Sequence, residues 1–164
     1  GGSFSDAKDM DAQAGVETTM MLNATLECNP VYVMHGLGSL GTLNVVSLEK
    51  FILDEEVINC LKRQQRGIDC SDKKLCFKEI QETGPRGSFL TGKTPKIYRE
   101  EFYMTRLFNK DDPNNWQNSG GKTVKETAGA LVEKRLESYT APERTKDQLK
   151  LIKEYIPEAY WELI

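Results

Sequence analysis

Short apolar runs and longer amphipathic stretches alternate along the chain. The run Val31–Met34 is rich in β-branched and aromatic residues and leads into a loop with glycines at 36, 38 and 41. Consecutive apolar residues of this kind are typical of a strand buried on both faces, as in a parallel sheet, and Pro30 suits its first position. We therefore predict a buried parallel strand at 31–34 whose carboxyl end faces a ligand.

Two long amphipathic stretches flank this run and predict helices. The first follows a polar, glycine-containing opening segment and is capped by Asp9 or Asp11. Its inward positions recur every four residues, at Ala12, Val16, Met20, Ala24 and Cys28. The second begins at Ser47 and ends at Gly67. Its inward positions are Leu48, Phe51, Ile52, Ile58 and Leu61.

Capping signals place four further helices. Their predicted starts are Asp72, the pair Thr94-Pro95, and the capping boxes Thr123-x-x-Glu126 and Thr145-x-x-Gln148. The helix from Asp72 ends at Gly84, and the next covers residues 96–108. The segment 84–92 predicts a turn around a very short strand, and Trp116 anchors a loop at 109–122. Strands that alternate with helices indicate the α/β class.

Composition and charge narrow the range of functions. A chain of 164 residues with 38% hydrophobic content can fold around a core. Its 22 Lys and Arg against 25 Asp and Glu are scattered, which argues against binding to nucleic acid or an anionic membrane. No run approaches the roughly 18 apolar residues of a membrane span, and no signal peptide opens the chain. We expect a soluble, cytoplasmic protein.

Cysteine spacing argues against a metal site. Cys28, Cys60, Cys70 and Cys76 lack the CxxC pattern, and His35 is the single histidine. This is a poor zinc set, so we predict free thiols and no bound metal.

Two nucleotide-binding patterns occur without the context they need. Gly36–Gly41 fits GxGxxG, but no helix begins within its glycines. Residues 87–94 fit GxxxxGK[ST], but the preceding residues have a helical period where a buried strand is required. A nucleotide-binding module therefore stays an alternative that a thermal shift with NAD, ATP or ADP would reveal.

Five segments together resemble the trimethylamine:corrinoid methyltransferase family. They are Ser5-Asp-Ala-Lys-x-x-Asp-Ala-Gln-Ala-Gly15, the glycine-rich stretch 36–41, Arg66-Gly-Ile68, Gly84-Pro-x-Gly-x-Phe-Leu90 and Glu133-Lys-Arg-Leu-Glu-Ser-Tyr-x-Ala-Pro142. The likeness covers essentially the whole chain and corresponds to the last third of such a protein. It implies the C-terminal part of a TIM-type (β/α)8 barrel, with the last βα units at 1–108 and a helical extension of the same domain at 109–164.

The resemblance also implies a reaction. The family moves a methyl group from a methylated amine to the Co(I) of a corrinoid, a cobalamin-type cofactor carried by a separate partner protein, and we expect a homo-oligomer. Members that act on trimethylamine use pyrrolysine, whereas every residue of this chain is an ordinary one. A quaternary ammonium needs no such activation because its amine departs neutral. Glycine betaine is therefore our first choice of substrate, with carnitine and proline betaine close behind and trimethylamine as the alternative.

The resemblance and the loop positions together give candidate site residues. Catalytic candidates are His35, Asp6 and Lys8. Substrate-binding candidates are Tyr32, Gly36, Arg86, Ser88 and Lys93, where a hydroxyl and cations suit a substrate carboxylate. The candidates for a loop facing the corrinoid are Gly38, Gly41, Asp11 and Gln13.

Each candidate also has a purely structural interpretation. Asp11 can cap a helix, Arg86 can be an ordinary surface arginine, and Tyr32 and Tyr103 can be core residues instead of an ammonium cage. The glycines can serve a turn alone. A third class of function also stays open, a scaffold that docks the corrinoid protein without turnover.

Overall fold

The structure is a computed structural model that describes residues 1–90 and 94–163. It contains two compact units, Gly1–Glu133 and Lys134–Ile164. The elements in chain order are α1 (Ala12–Glu27), β1 (Ser39–Leu40), β2 (Val45–Val46), α2 (Leu48–Gln65), α3 (Asp72–Leu75), α4 (Phe77–Thr83), α5 (Thr94–Glu101), α6 (Pro113–Asn118), α7 (Val124–Glu137), α8 (Lys146–Tyr155) and a 3-10 helix (Glu158–Leu163).

Helices hold most of the described residues, so the expected α/β character is visible only in part. The two strands have two residues each and pair antiparallel, with Ser39 opposite Val46 and Leu40 opposite Val45. The proposed division at residue 108 stays a prediction, as does the barrel.

The core of the first unit forms where α1 packs on α2. Its buried members are Leu22, Ile52, Leu53, Val57, Leu61, Leu107, Ala128 and Val132. Because these residues come from α1, α2, the 107 region and α7, a single apolar cluster joins segments that are far apart in sequence. Burial of such side chains is the main favourable term in folding.

The predicted helix caps are confirmed at four positions. Asp11 accepts from the amide of Ala14, and Ser47 accepts from that of Lys50. Thr123 and Glu126 exchange hydrogen bonds of 2.8 and 3.2 Å, and Thr145 forms the second capping box with Gln148. Each cap satisfies an amide that has no partner within its own helix.

The predicted inward face of α1 is wrong. Ala14, Thr18 and Leu22 are buried, whereas Val16 is 58% and Met20 68% exposed. The face with Val16 and Met20 and the face with Ala14 and Leu22 both carry apolar residues. The second face is buried together with Thr18, whose hydroxyl accepts a hydrogen bond from Lys50 at 2.8 Å.

The predicted strand at Val31–Met34 is also wrong. These residues form no strand, Val31 is fully exposed and Tyr32 is 73% exposed. A central strand needs neighbours for its amides and carbonyls. No segment of the described residues pairs with this run. The buried positions begin four residues after Met34, at Gly38, Ser39 and Leu40.

Three shorter predictions need correction. Ser71, not Asp72, occupies the N-cap of α3, and Cys76 at φ 55° separates α3 from α4. The helix predicted over 96–108 ends at Glu101. Beyond it, the amide of Arg106 donates to the Glu56 carboxylate at 2.9 Å and not to a carbonyl one turn earlier.

The loop predicted at 109–122 contains the short helix α6. The Trp116 anchor is confirmed, because its indole donates to the Lys122 carbonyl at 2.9 Å. No strand lies at 84–90, and the rest of that segment is outside the described residues. Leu48 and Tyr139 are also more exposed than an inward position allows.

Alanine substitutions on α1 distinguish its buried face from its exposed one. Leu22→Ala should lower the free energy of unfolding by about 2–5 kcal/mol because it leaves a cavity in the core. Met20→Ala, two residues away and mostly exposed, should change it by no more than about 0.5 kcal/mol. Urea unfolding of both variants measures the difference. Equal losses would contradict the burial described here.

Candidate functional site

Two segments near the start of the chain run side by side in the same direction. The amide of Ser3 donates to the His35 carbonyl at 3.2 Å, and the amide of Gly41 donates to the Ala7 carbonyl at 3.0 Å. Ser3 therefore lies beside His35, and Ala7 lies beside Gly41, as in neighbouring parallel strands. We call residues 3–7 and 35–42 the paired segments. The first is followed by a loop and then α1, and the second, which contains β1, is followed by a turn, β2 and then α2.

Glycine is required where the backbones approach closely. A Cβ on Gly2 would lie 2.2 Å from the His35 carbonyl oxygen. Gly38 has φ +79°, and a Cβ there would lie 3.0 Å from the Ser47 carbonyl oxygen. The predicted ligand-facing role of Gly38 stays a prediction, because contacts within the chain already account for this glycine.

The carboxyl ends of the paired segments carry a polar cluster, which we call the Asp6 edge: Asp6, Lys8, Asp11, Gln13, Glu17 and Thr42. The Thr42 hydroxyl donates to Asp6 Oδ1 at 2.8 Å and thereby joins the two ends. The Lys8 ammonium donates to the Asp6 carbonyl at 2.5 Å. The Asp6 edge is thus exposed and carries both signs of charge.

Glu17 organises the inner side of this edge. Its Oε2 accepts from the Ser5 hydroxyl at 2.7 Å and from the Asp6 amide at 2.8 Å, and its Oε1 accepts from Gln13 at 2.8 Å. These donors, with the Ser5 hydroxyl first, hold the pKa of Glu17 below its usual range. The carboxylate stays charged and fixes the backbone at Asp6.

The other candidates in the first paired segment have structural partners. Asp11 caps α1, and the side chain of Gln13 is held by Glu17. Their predicted role toward the corrinoid stays a prediction.

His35 and Tyr32 lie at the opposite end of the paired segments from Asp6. His35 adopts φ +51°, and its ring centroid lies 6.0 Å from that of Phe4. Tyr32 is exposed, and its hydroxyl contacts the Met34 sulfur at 3.9 Å. Gly36 lines an apolar cleft of about 490 Å³ between α1 and α2. The candidates near His35 and those of the Asp6 edge are therefore separated by the length of the paired segments.

Arg86 and Ser88 lie on a separate loop, after α4. Arg86 has φ +66°, and the Ser88 hydroxyl accepts from the amide of Leu90 at 3.3 Å. Within residues 1–90 and 94–163, no hydrogen bond or ion pair connects either residue to the Asp6 edge. Lys93 lies outside the described residues.

Sequence reasoning missed the buried polar residues beneath the paired segments. Lys50 and Asp54 are fully buried, as are Ser3 and Thr18. A signal was present, because positions 50, 54, 57 and 61 follow helical spacing and two of them are the apolar Val57 and Leu61. Charges placed four apart on an apolar face predict a buried ion pair.

A second missed feature is a cleft of about 680 Å³ with aromatic walls. Tyr98 and Phe102 stack with ring centroids 4.8 Å apart, and Tyr103, Phe108 and Trp116 line the same cleft. Burial raises the pKa of the Tyr103 phenol, and the nearby Glu56 carboxylate raises it further. Tyr103 is half-buried in the wall of this cleft.

Among residues 1–90 and 94–163, no group of three or more His, Cys, Asp or Glu side chains is arranged to hold a metal ion. Over the same residues, no helix combines the length and apolar character that crossing a bilayer requires.

Residues 1–162 match the family model described as trimethylamine methyltransferase (MTTB). The L-carnitine:corrinoid methyltransferase of Eubacterium limosum is 39% identical over 98% of this chain and 34% of its own length. The proline betaine:corrinoid methyltransferase of that organism is 41% identical over 93% of this chain and 32% of its own length. The glycine betaine methyltransferase of Desulfitobacterium hafniense is 34% identical over 87% of this chain and 30% of its own length. The chain spans about a third of the length of these curated relatives.

Acid should weaken the contribution of Glu17 to stability. A carboxylate with a lowered pKa stabilises the fold above its unfolded value, 4.5, and loses that effect as the pH falls through the folded value. The difference in unfolding free energy between the wild type and Glu17→Gln should be constant above about pH 6 and shrink below pH 4.5. Urea unfolding across this range measures it. Ser5→Ala removes the main donor to Glu17 and should narrow the pH range over which this stability difference is lost. A stability difference that grows toward pH 4 would contradict the lowered pKa of Glu17.

Proposed function

Because the chain belongs to the trimethylamine methyltransferase (MTTB) family, we propose that it is part of an enzyme that moves a methyl group from a quaternary amine to the corrinoid of a partner protein. The observation that carries the proposal is the family match, which runs from residue 1 to residue 162. Transfer breaks the carbon–nitrogen bond and joins that carbon to cobalt, with Co(I) providing the electron pair and nitrogen retaining the pair of the broken bond.

A TIM-type barrel is the fold that we propose for the complete enzyme. The paired segments run parallel, and each precedes a long helix, the second with β2 in between; we assign them to two consecutive βα units. Several large apolar side chains of the chain are exposed: Val16, Met20, Val31, Tyr32, Val45 and Val46. Further barrel strands and helices would cover such residues. In that arrangement the Asp6 edge belongs to the face where barrel enzymes carry out their chemistry.

The substrate class that we propose is a quaternary amine that also carries a carboxylate. L-carnitine, proline betaine and glycine betaine, which appear in the names of three relatives, share both groups. Their positive nitrogen already makes the departing amine neutral, so the enzyme has only to exclude water and align one methyl group. Cationic side chains such as Arg86 and Lys93 suit the carboxylate. Relatives named trimethylamine methyltransferases, at 29% identity, keep trimethylamine as a second candidate.

Within the chain, the proposed roles follow position. The Asp6 edge, with Lys8, would orient the substrate at the carboxyl ends of the paired segments. His35, Tyr32 and Gly36 lie at the opposite end of the paired segments and are not part of this proposed substrate site. The Gly41 turn, with Asp11 and Gln13, would face the partner protein that carries the corrinoid.

A spectroscopic assay tests the reaction. The intact enzyme is mixed anaerobically with Co(I) cobalamin, and the loss of Co(I) absorbance is followed after adding glycine betaine, L-carnitine, proline betaine or trimethylamine. We expect loss with at least one carboxylated quaternary amine and none with trimethylamine. Because free cobalamin can be a poor acceptor, the assay is repeated with the cognate corrinoid protein. Loss with trimethylamine alone would overturn the substrate class, and no loss with any amine and either acceptor would overturn the reaction.

Replacing Arg86 tests the carboxylate interaction. Arg86→Gln should raise KM for the active carboxylated amine about tenfold, equivalent to about 1.4 kcal/mol, and should change KM for a quaternary ammonium without a carboxylate less than twofold. Lys93→Gln is measured in parallel, and Lys146→Gln, an exposed charge at the start of α8, serves as the control. Equal effects of Arg86→Gln on both kinds of amine would show that Arg86 does not bind the carboxylate.

A further inference from the structure

We infer that Asp54 is a positioning residue that fixes the two paired segments relative to each other and thereby sets the geometry of the Asp6 edge. The inference concerns a residue of α2 that touches neither a predicted substrate nor the partner protein. The test of this inference by kcat rests on the proposed function, whereas the test by amide hydrogen exchange does not.

One oxygen atom of Asp54 receives a donor from each paired segment. The Ser3 hydroxyl, in the first segment, donates to Oδ2 at 2.7 Å. The amide of Gly38, in the second segment, donates to the same oxygen at 2.7 Å. Since both bonds end on a single atom, the distance between Ser3 and Gly38 is fixed by the geometry of one carboxylate.

Lys50 makes this arrangement tolerable in a dry interior. Its ammonium donates to Asp54 Oδ2 at 2.7 Å, to the Ser3 carbonyl at 3.0 Å and to the Thr18 hydroxyl at 2.8 Å. All three of its hydrogens therefore have acceptors, and both side chains have no exposed surface. A buried carboxylate without such a partner would be strongly disfavoured. Lys50 also fastens the first paired segment and α1 to α2.

We call Lys50, Asp54 and the Ser3 and Gly38 groups that they bind the polar clamp. The polar clamp is close enough to the Asp6 edge to determine the geometry of that edge. Asp6 lies three residues after Ser3, and Thr42 lies four residues after Gly38. Both therefore lie within four residues of a residue that Asp54 binds. The hydrogen bond between Thr42 and Asp6 closes the far end of the same frame. A shift of either segment at Asp54 is therefore transmitted to the Asp6 edge along a short stretch of backbone.

A purely stabilising role for the Lys50–Asp54 pair does not explain its contacts with both paired segments. A purely stabilising role would be served as well by apolar residues of similar size, which often replace a buried ion pair without loss. Such residues could not accept the amide of Gly38 or the hydroxyl of Ser3. The carboxylate is therefore needed for the registry of the two segments.

The test uses Asp54→Asn in the intact enzyme. The amide side chain keeps the size of the carboxylate but removes its charge and weakens its bonds to three donors. We expect kcat for methyl transfer to fall at least tenfold while KM for the amine changes less than twofold, because misplacement affects alignment more than binding. Amide hydrogen exchange should accelerate at least tenfold at residues 3–7 and 38–42 and stay unchanged in α7.

A matched control and a milder variant keep the test decisive. Glu82→Gln alters the exposed Lys78–Glu82 pair, which has the same four-residue spacing on α4, and should change neither kcat nor exchange in the paired segments. Ser3→Ala removes one donor but keeps the buried Lys50–Asp54 ion pair, and it should lower kcat several-fold with faster exchange at the same residues. If Asp54→Asn does not fold, Ser3→Ala decides.

Two results would overturn the inference. One is a lower Tm for both variants with unchanged kcat, which would leave the pair a stabilising role only. The other is unchanged exchange in the paired segments. If the wild type itself transfers no methyl group, the proposed function fails, and the exchange measurement alone still decides whether Asp54 sets the registry of the segments.

Discussion

Two opposite charges lie completely out of water between the first two long helices, and the surrounding structure is arranged to make that tolerable. Removing an ion from water costs several kcal/mol, so these charges need hydrogen-bond partners inside the protein, and the partners of Asp54 converge on Oδ2. Thr18 turns α1 so that its hydroxyl meets Lys50. Ser3 supplies both a carbonyl and a hydroxyl, and Gly38 supplies a backbone amide. The orientation of α1 and the course of the paired segments both follow from this requirement.

The polar clamp and the apolar core involve opposite ends of the same helix, α2. Toward its N-terminus, α2 holds the charges and the two backbone segments. Toward its C-terminus it carries Val57 and Leu61, which pack with α7 through Ala128 and Val132. Apolar packing is non-directional and tolerates small shifts, whereas hydrogen bonds demand distances near 2.7–3.2 Å. The division explains how one helix can provide both bulk stability and a defined backbone geometry at the Asp6 edge.

How far the sequence predicted this structure depends on the range of the interactions concerned. Helix starts at Asp11, Ser47, Thr123 and Thr145 were predicted because a cap is decided within four consecutive residues. The strand at 31–34 and the face of α1 were mispredicted because pairing and burial depend on distant partners. For α1 the partner is Lys50, 32 residues after Thr18. Several residues of the Asp6 edge were selected from their loop position, but Glu17 and Thr42 were missed, since neither has a motif of its own.

The contact between Gly38 and Asp54 also limits what sequence comparison can reveal. Position 38 contributes a backbone amide and excludes a Cβ at the same time, so it has essentially one acceptable residue. Position 54 must keep a carboxylate for a reason that does not depend on which side chain stands at 38. We therefore expect each position to be constrained on its own, so that substitutions at 38 and 54 do not covary. A coupling that fixes the frame of the molecule is therefore invisible to methods that infer contacts from correlated substitutions, and it has to be found in the coordinates.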